Sequence, residues 1–329
     1  MTWWRSFGAG KSHSVVIAAI LSVMVPTTAW AHGTPGVSGD LLASWSWRAD
    51  VIGLVAAFGA AYILGWWRLR HQGARIARRW RLALYLAGLA IICLALISPI
   101  DSLSSSHFFI HMTQHKLLTM AGPPLLLLAD PLPVLLWGLP RNIRHQIGHL
   151  LTRDAVPRRI LRSVTWMPVS WLLYVATLWM WHHPIMYEAS LQNEFVHDAE
   201  HISFFLTAIL FWWPIVNPAP RLHGHIPYAL RILYVIAAAF QNTALGFLIA
   251  VSDRVLYPSY AATPRLWDLS PLHDQALGGG IMSEGGMMHV IAVLVLAARM
   301  LDYEEQMTRQ REARTVLRGI TEGAAGSEG

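Results

Sequence analysis

Histidines at helical spacing are the residues of this sequence best suited to chemistry. His107, His111 and His115 follow one another at intervals of four, and His197 and His201 form a second pair with the same interval. Intervals of four keep side chains on one stripe of a helix, so neighbouring imidazoles can share one metal ion. Imidazole suits copper, zinc, iron and nickel. These histidines therefore predict a transition-metal site.

Other side chains extend this candidate site. His182 closes an apolar stretch, Met112 lies beside the first histidines, and Asp274 begins the last apolar stretch. Thioether sulfur adds a preference for Cu(I). The single cysteine, Cys93, excludes an intrachain disulfide and a cysteine-based metal site. We therefore predict a copper site whose ligands come from the following residues: His107, His111, His115, Met112, His182, His197, His201 and Asp274.

The segment from His197 to His201 also supports a rival interpretation. Its sequence, HDAEH, matches the inverted zinc-protease pattern H-x-x-E-H. In such a site the two histidines bind zinc and the glutamate acts as base toward the zinc-bound water. This pattern predicts an intramembrane zinc-dependent hydrolase with Glu200 as the general base. A third interpretation is haem binding, because facing histidines can supply both axial ligands.

The composition indicates which elements must carry these side chains. Residues of the types AVILMFWYC make up 54% of the 329 residues, and Asp, Glu, Lys and Arg make up only 13%, about half the share found in soluble proteins. The mean hydropathy is +0.41. This composition excludes an ordinary soluble globule and a disordered chain. The basic pI of about 9.8 does not indicate nucleic-acid binding, because the arginines stand in short runs between apolar stretches.

Seven apolar stretches are long enough to cross a bilayer at ~1.5 Å per residue. They cover residues 51–67, 82–100, 108–128, 164–181, 202–216, 230–251 and 276–298. We therefore predict an all-α polytopic membrane protein, a seven-transmembrane-helix bundle that follows an N-terminal signal segment. Pro123 and Pro124 should kink the third span.

The first residues have the pattern of a secretory signal peptide. Arg5 and Lys11 precede a short apolar run at 15–25, and Ala29 and Ala31 form a small-x-small cleavage site. We expect residues 1–31 to be removed, residues 32–305 to form the membrane domain, and residues 306–329 to form a cytoplasmic tail.

Arginines predict the orientation of the bundle. Six lie between the first and second stretches and six between the third and fourth. By the positive-inside rule these loops face the cytoplasm, so the mature N-terminus is outside and the C-terminus inside. The histidines then lie at the outer end of the bundle. Acidic residues are concentrated on that outer side, which raises the local concentration of cations.

Several motifs, in order along residues 80–305, resemble the CtaG-type cytochrome c oxidase assembly factors. They are HMTQH at 111–115, WHHP at 181–184, HDAEH at 197–201, FWWP at 211–214, LYP at 256–258 and DQALGG at 274–279. The resemblance implies a protein needed to build haem-copper oxidase, without being an oxidase subunit, and commonly linked to copper delivery. Carried over by these motifs are His111, His115, His182, His197 and His201, with Asp274 beside them.

Two positions depart from the resemblance or lie outside it. His107 matches none of the motifs and rests on its spacing alone, and Lys116 stands where an apolar residue is expected. An ammonium next to His115 opposes cation binding unless it points away.

Together these observations predict a non-enzymatic assembly factor of the bacterial inner membrane. It would hold copper at an outer-face His/Met site and pass it by ligand exchange to cytochrome c oxidase subunits. Its other expected partners are the lipid bilayer and a second copy of itself, and no nucleic acid is expected to bind.

Overall fold

The structure, a computed structural model, describes residues 45–152, 154–264, 267–284 and 286–326. Every regular element among these residues is helical, and they contain no strand. This confirms the predicted all-α class. The predicted signal segment at residues 1–31 lies outside the described residues.

The helices of the described residues are numbered here in chain order. They are α1 Ala49–His71, α2 Arg79–Ile97, α3 Pro99–Ser104, α4 Phe108–Lys116, a π-helical turn Leu117–Ala121, α5 Gly122–Leu128, α6 Pro131–Gly138, α7 Arg141–Leu150, α8 Val156–Val164, α9 Met167–His182, α10 Pro184–Gln192, α11 Glu194–Val216, α12 Tyr228–Ala250, α13 Ser259–Ala262, α14 Pro271–Glu284 and α15 Gly286–Gly326. Six helices that do not continue directly from a preceding helix, α3, α6, α8, α9, α10 and α14, have proline at one of their first two positions, where its missing N–H costs nothing.

Five helical stretches of the described residues are long and apolar enough to cross a membrane. They are α1, α2, α11, α12 and Pro271–Gln310, which joins α14 to α15. A sixth is present if Phe108–Leu128 and α6, which meet at a bend of 69°, form one broken span. The chain is therefore a multi-pass helical membrane protein. The count of seven stays a prediction, because α9 has 16 residues and a straight span needs about 20.

The third predicted span passes through its prolines by a change of helical pitch. The π-helical turn Leu117–Ala121 comes just before Pro123 and Pro124. Neither proline has an N–H, so the Thr119 carbonyl loses its usual helical donor. The indole Nε1 of Trp212, on α11, donates to this carbonyl at 3.0 Å. The expected distortion at the prolines thus takes the form of a π-helical turn that α11 stabilises.

Close packing between helices fixes the frame around the histidines. α14 packs against both α12 and α4, and α11 packs against α9 and α5. A Cβ atom at Gly246 of α12 would lie 2.6 Å from the Gly279 carbonyl oxygen of α14, so these two helices require glycine where they meet. At the start of α1, Arg48 donates to the Asp198 carboxylate of α11 at 2.6 Å.

Candidate metal centre

α4 and α11 lie side by side where their histidine pairs meet. His111 and His115 project from α4, and His197 and His201 project from α11. The ring centroids of His111 and His197 are 5.2 Å apart, and those of His115 and His201 are 5.4 Å apart. His197 is half-buried, whereas the other three are buried. The two pairs that the sequence assigns to separate helices therefore face each other.

Capping side chains set where these two helices begin. The Asp274 carboxylate of α14 accepts the backbone N–H of Phe108 at 3.0 Å and that of Phe109 at 2.9 Å. The Asn193 side chain accepts the backbone N–H groups of Phe195 and Val196 at the start of α11. Because both caps lie within one to two turns of the first histidine of their helix, they fix the positions of the imidazoles along the helix axes.

Glu200 lies beside the imidazoles of α4. Its side chain is fully buried, and its Oε1 atom is 3.6 Å from Nε2 of His115. Its Oε2 atom is 3.9 Å from Nε2 of His111. Glu200 follows His197 by three residues, so both side chains lie on one face of α11. We call these five side chains, His111, His115, His197, Glu200 and His201, the histidine–glutamate cluster.

Two overlapping groups within this cluster could hold a metal ion. The first comprises His111, His115 and His201, and the second comprises His111, His197 and Glu200. In each group, one ligand atom from every residue lies within 4.8 Å of the others. Nitrogen and oxygen ligands bind an ion such as zinc at about 2.0–2.2 Å, so two ligands of one ion are at most roughly 4.4 Å apart. Small side-chain rotations would therefore allow either group to bind an ion.

The hydrogen-bonding state of the cluster also fits a cation. Within the described part of the chain, six buried atoms of this cluster make no hydrogen bond of good geometry: Nε2 of His111, Nδ1 and Nε2 of His115, both carboxylate oxygens of Glu200, and Nε2 of His201. The Ser190 side chain lies near the Glu200 carboxylate. Buried polar atoms nearly always have partners, because leaving them without one costs free energy. A bound cation would supply the missing interaction to the carboxylate and the imidazoles at once.

Two tyrosine hydroxyls hold the Nδ1 side of His111. Tyr187 and Tyr260 Oη each lie 2.8 Å from this nitrogen and 2.9 Å from each other. Tyr260 donates its hydrogen to the Ser104 carbonyl at 3.0 Å. The Tyr260 hydrogen is thereby used, so Tyr187 must donate to Tyr260. The hydrogen on Nδ1 of His111 must then serve both contacts with the tyrosine hydroxyls. That tautomer leaves the His111 lone pair on Nε2, the nitrogen that faces Glu200.

His182 and Met112, both predicted ligands, lie beside the cluster and contact each other. The ring centroids of His182 and His115 are 6.1 Å apart. Nε2 of His182 lies 3.4 Å from Sδ of Met112, and both side chains are buried. The predicted ligand set is therefore divided between the histidine–glutamate cluster and this adjacent pair.

The remaining two predicted ligands have other contacts. The His107 ring lies 4.9 Å from the Trp267 ring, and its Nδ1 atom is 3.0 Å from the Ser106 hydroxyl. Asp274 caps α4, as described above. Neither belongs to the two groups that could hold a metal ion. The structure thus places His107 and Asp274 at the start of α4 and outside the cluster.

Three residues that the structure brings to the site were not among the predicted metal ligands. Glu200 entered only as the base of the rival hydrolase, although its spacing of three residues from His197 already assigned it to the face of α11 that carries His197. Tyr187 and Tyr260 lie on α10 and α13, and no sequence spacing connects them with His111. Lys116, which seemed to oppose a cation, donates from Nζ to the Met282 carbonyl at 2.9 Å.

Comparison with known proteins connects this site with a family. The family model described as cytochrome c oxidase caa3 assembly factor (Caa3_CtaG) matches residues 60–302. Uncharacterized proteins of Mycobacterium bovis and Mycobacterium tuberculosis are each 27% identical to this chain over 290 residues. One of Mycobacterium leprae is 25% identical over 286 residues. No solved structure matches.

The alignments cover most of this chain but less than half of each mycobacterial relative. Each alignment with the mycobacterial proteins covers 82% of this chain and 41% of the relative, so the chain spans about two fifths of the length of these curated relatives. The family match, in contrast, takes in most of this chain and every residue of the histidine–glutamate cluster. The chain belongs to the family of cytochrome c oxidase caa3 assembly factors.

Proposed function

We propose that this protein holds copper in the histidine–glutamate cluster and passes it to a maturing cytochrome c oxidase. The observation that carries the proposal is the buried Glu200 carboxylate, which lies 3.6 Å and 3.9 Å from two imidazoles. A buried carboxylate and several neutral imidazoles form a donor set for a transition-metal cation. Membership of the oxidase assembly family supplies the class of recipient.

Two features at and beside the cluster support copper as the cargo. The single cysteine, Cys93, lies on α2, so the site has no thiolate of the kind common in structural zinc sites. The Met112 thioether next to His182 adds a soft donor that favours Cu(I). Copper is the cargo in this proposal, and the protein performs ligand exchange without making or breaking covalent bonds of a substrate.

The half-buried position of His197 provides a route for release. It is the cluster member most accessible from outside the bundle, and its neighbour Asp198 is bound by Arg48. An incoming ligand from an oxidase subunit would therefore displace His197 first. The deeper imidazoles would then release the ion stepwise.

We also propose a seven-span topology in the bacterial inner membrane with the cluster at the outer end. The 16 residues of α9 extend about 24 Å, and Trp166 just before this helix is exposed, as expected for an interfacial tryptophan. α7 and α8 are basic and would lie on the cytoplasmic side. A cleaved signal segment is part of this proposal.

Cysteine labelling tests the topology. In a Cys93→Ser background, His149→Cys on α7 and Asp268→Cys before α14 each provide one accessible thiol. A membrane-impermeant maleimide applied to intact cells should label the second variant and leave the first unlabelled. The reverse pattern would mean that the cluster faces the cytoplasm.

Metal analysis tests copper binding. The full-length protein, purified in detergent, is loaded in parallel with Cu(I) under anaerobic conditions and with Zn(II), and bound metal is counted after removal of excess. We expect tightly bound copper in the wild type and its loss from the cluster in His111→Ala/His115→Ala. The control is His145→Ala/His149→Ala, an exposed pair on α7 with the same spacing.

Three results would favour other functions. Zinc with hydrolytic activity that Glu200→Gln abolishes would support the hydrolase interpretation. A Soret band in the purified protein would support haem binding. Copper stoichiometry that is the same in the wild type and in His111→Ala/His115→Ala would remove the histidine–glutamate cluster as the copper site.

A further inference from the structure

We propose that a second metal position, selective for Cu(I), lies between Met112 Sδ and His182 Nε2. The inference rests on the proposed function because it adds a second copper position, called here the inner position, to the route that begins at the histidine–glutamate cluster. The two atoms are 3.4 Å apart and both side chains are buried.

The hydrogen bond on the other side of the His182 ring determines which nitrogen is available. Nδ1 of His182 is 2.7 Å from the Leu178 carbonyl oxygen. A carbonyl oxygen can only accept, so Nδ1 carries the hydrogen, and in the neutral ring Nε2 carries the lone pair. That lone pair points at the Met112 sulfur, which is itself an acceptor. Two electron-pair donors thus face each other, an arrangement that a soft cation completes.

The separation of the two donors agrees with metal coordination. Bonds of about 2.0 Å to nitrogen and about 2.3 Å to sulfur, at a tetrahedral angle, separate the two ligand atoms by about 3.5 Å. The observed distance is 3.4 Å. The separation of the two donors therefore fits a shared ion, and rotation of the two side chains would aim both lone pairs at it.

His115 connects this pair with the histidine–glutamate cluster. Its Nε2 atom is 3.6 Å from Glu200, and its ring centroid is 6.1 Å from that of His182. Neither ring nitrogen of His115 has a hydrogen-bond partner among the described residues. Met112, His115 and His182 also line one small cavity, together with a second thioether from Met282. His115 can therefore serve as a ligand at either position, which gives an ion a path of ligand exchange between them.

The charged groups near the two metal positions differ, so the two positions should prefer different metal ions. The cluster contains the Glu200 carboxylate, whereas the cavity beside Met112 is lined by the Lys116 ammonium and by no carboxylate. Repulsion from this ammonium is twice as large for a divalent ion as for a monovalent ion at the same distance. Soft ligands and a nearby positive charge together favour Cu(I) over Zn(II) or Cu(II) at the inner position.

Counting bound metal in a methionine variant tests the inference. Cu(I), generated by ascorbate under anaerobic conditions, is titrated against a chromophoric chelator, and Zn(II) is measured separately. We expect the wild type to bind two Cu(I) and one Zn(II), and Met112→Leu to bind one of each. The control Met120→Leu, a buried methionine on the same span that does not line the cavity, should keep the wild-type numbers. X-ray absorption should show a sulfur ligand in the wild type that Met112→Leu lacks.

A charge variant provides a second test that does not depend on the fold of Met112→Leu. Lys116→Met removes the ammonium and should allow a second Zn(II) to bind, with Cu(I) still at two.

Unchanged Cu(I) binding in Met112→Leu, or a wild type without a sulfur ligand, would overturn the inference. Loss of Zn(II) and one Cu(I) in Glu200→Gln/His201→Ala, with the sulfur-bound Cu(I) retained, would support separate positions. A wild type that binds one Cu(I) with a sulfur ligand and no Zn(II) would contradict the proposed cluster site while supporting the inner position.

Discussion

The carboxylate of Asp274 on α14 binds the first turn of α4, where it accepts the backbone N–H of Phe108 at 3.0 Å. This contact joins two helices that are far apart in sequence and fixes the position of the histidines on α4. A sequence analysis that sees an acid near several histidines assigns it to the metal. In the structure the same acid contacts the backbone that carries them.

Asp274→Ala should therefore destabilise the protein without removing a metal ligand. A hydrogen bond to a charged group contributes about 1.5–3 kcal/mol, and the variant loses two of them. We expect a lower unfolding temperature in detergent, weaker copper binding, and wild-type copper stoichiometry at saturation. Asp268→Ala, at an exposed acid before α14, is the control. Lost stoichiometry at saturating copper would restore Asp274 as a ligand.

Glu200→Gln should separate charge from shape in the cluster. The amide keeps the size of the side chain and one acceptor oxygen, but it removes the negative charge that attracts the ion. Since losing even an indirect partner costs about 10–100-fold in metal affinity, we expect Zn(II) affinity to fall by at least about tenfold. The loss should be smaller for Cu(I), which carries half the charge. Isothermal titration with each ion measures both, and equal affinities in wild type and variant would place Glu200 outside the coordination sphere.

Tyr260→Phe should change the orientation and tautomer of His111 without changing the number of bound ions. Its hydroxyl lies 2.8 Å from Nδ1 of His111, and partners of this kind fix which ring nitrogen is free to bind a metal. We expect copper affinity to fall about tenfold. The ¹⁵N spectrum of the histidines should show Nδ1–H at His111 in the wild type and a mixture in the variant. Tyr234→Phe, at a tyrosine that bonds Ser170 away from the cluster, is the control, and a wild type protonated on Nε2 would contradict the assignment.

Trp212→Phe tests the link between α11 and the π-helical turn. The variant keeps most of the aromatic packing but removes the indole N–H that bonds the Thr119 carbonyl at 3.0 Å. A buried carbonyl left without a donor costs about 1–3 kcal/mol, so the unfolding temperature should drop. Trp179→Phe, at a partly exposed indole on α9, gives the matched comparison. Equal unfolding temperatures for the wild type and Trp212→Phe would mean that the prolines are accommodated without α11.

The sequence alone determined which side chains share a helix face. Apolar stretches determined the helical class, and intervals of four placed His111 with His115 and His197 with His201, because the helical repeat is a local property of the chain. The ordered motifs also determined the family, which the match over residues 60–302 confirms.

Only the tertiary structure decided what each of these faces meets. Asp274 and Glu200 are both acids close to histidines in sequence-based reasoning, yet the first caps a helix and the second enters the cluster. Met112 and His182 likewise form a pair beside the cluster. These outcomes depend on how α4, α9, α11 and α14 pack, at close contacts such as Gly246 against Gly279. Packing of helices distant in sequence follows from the shape of the whole bundle, which no local spacing encodes.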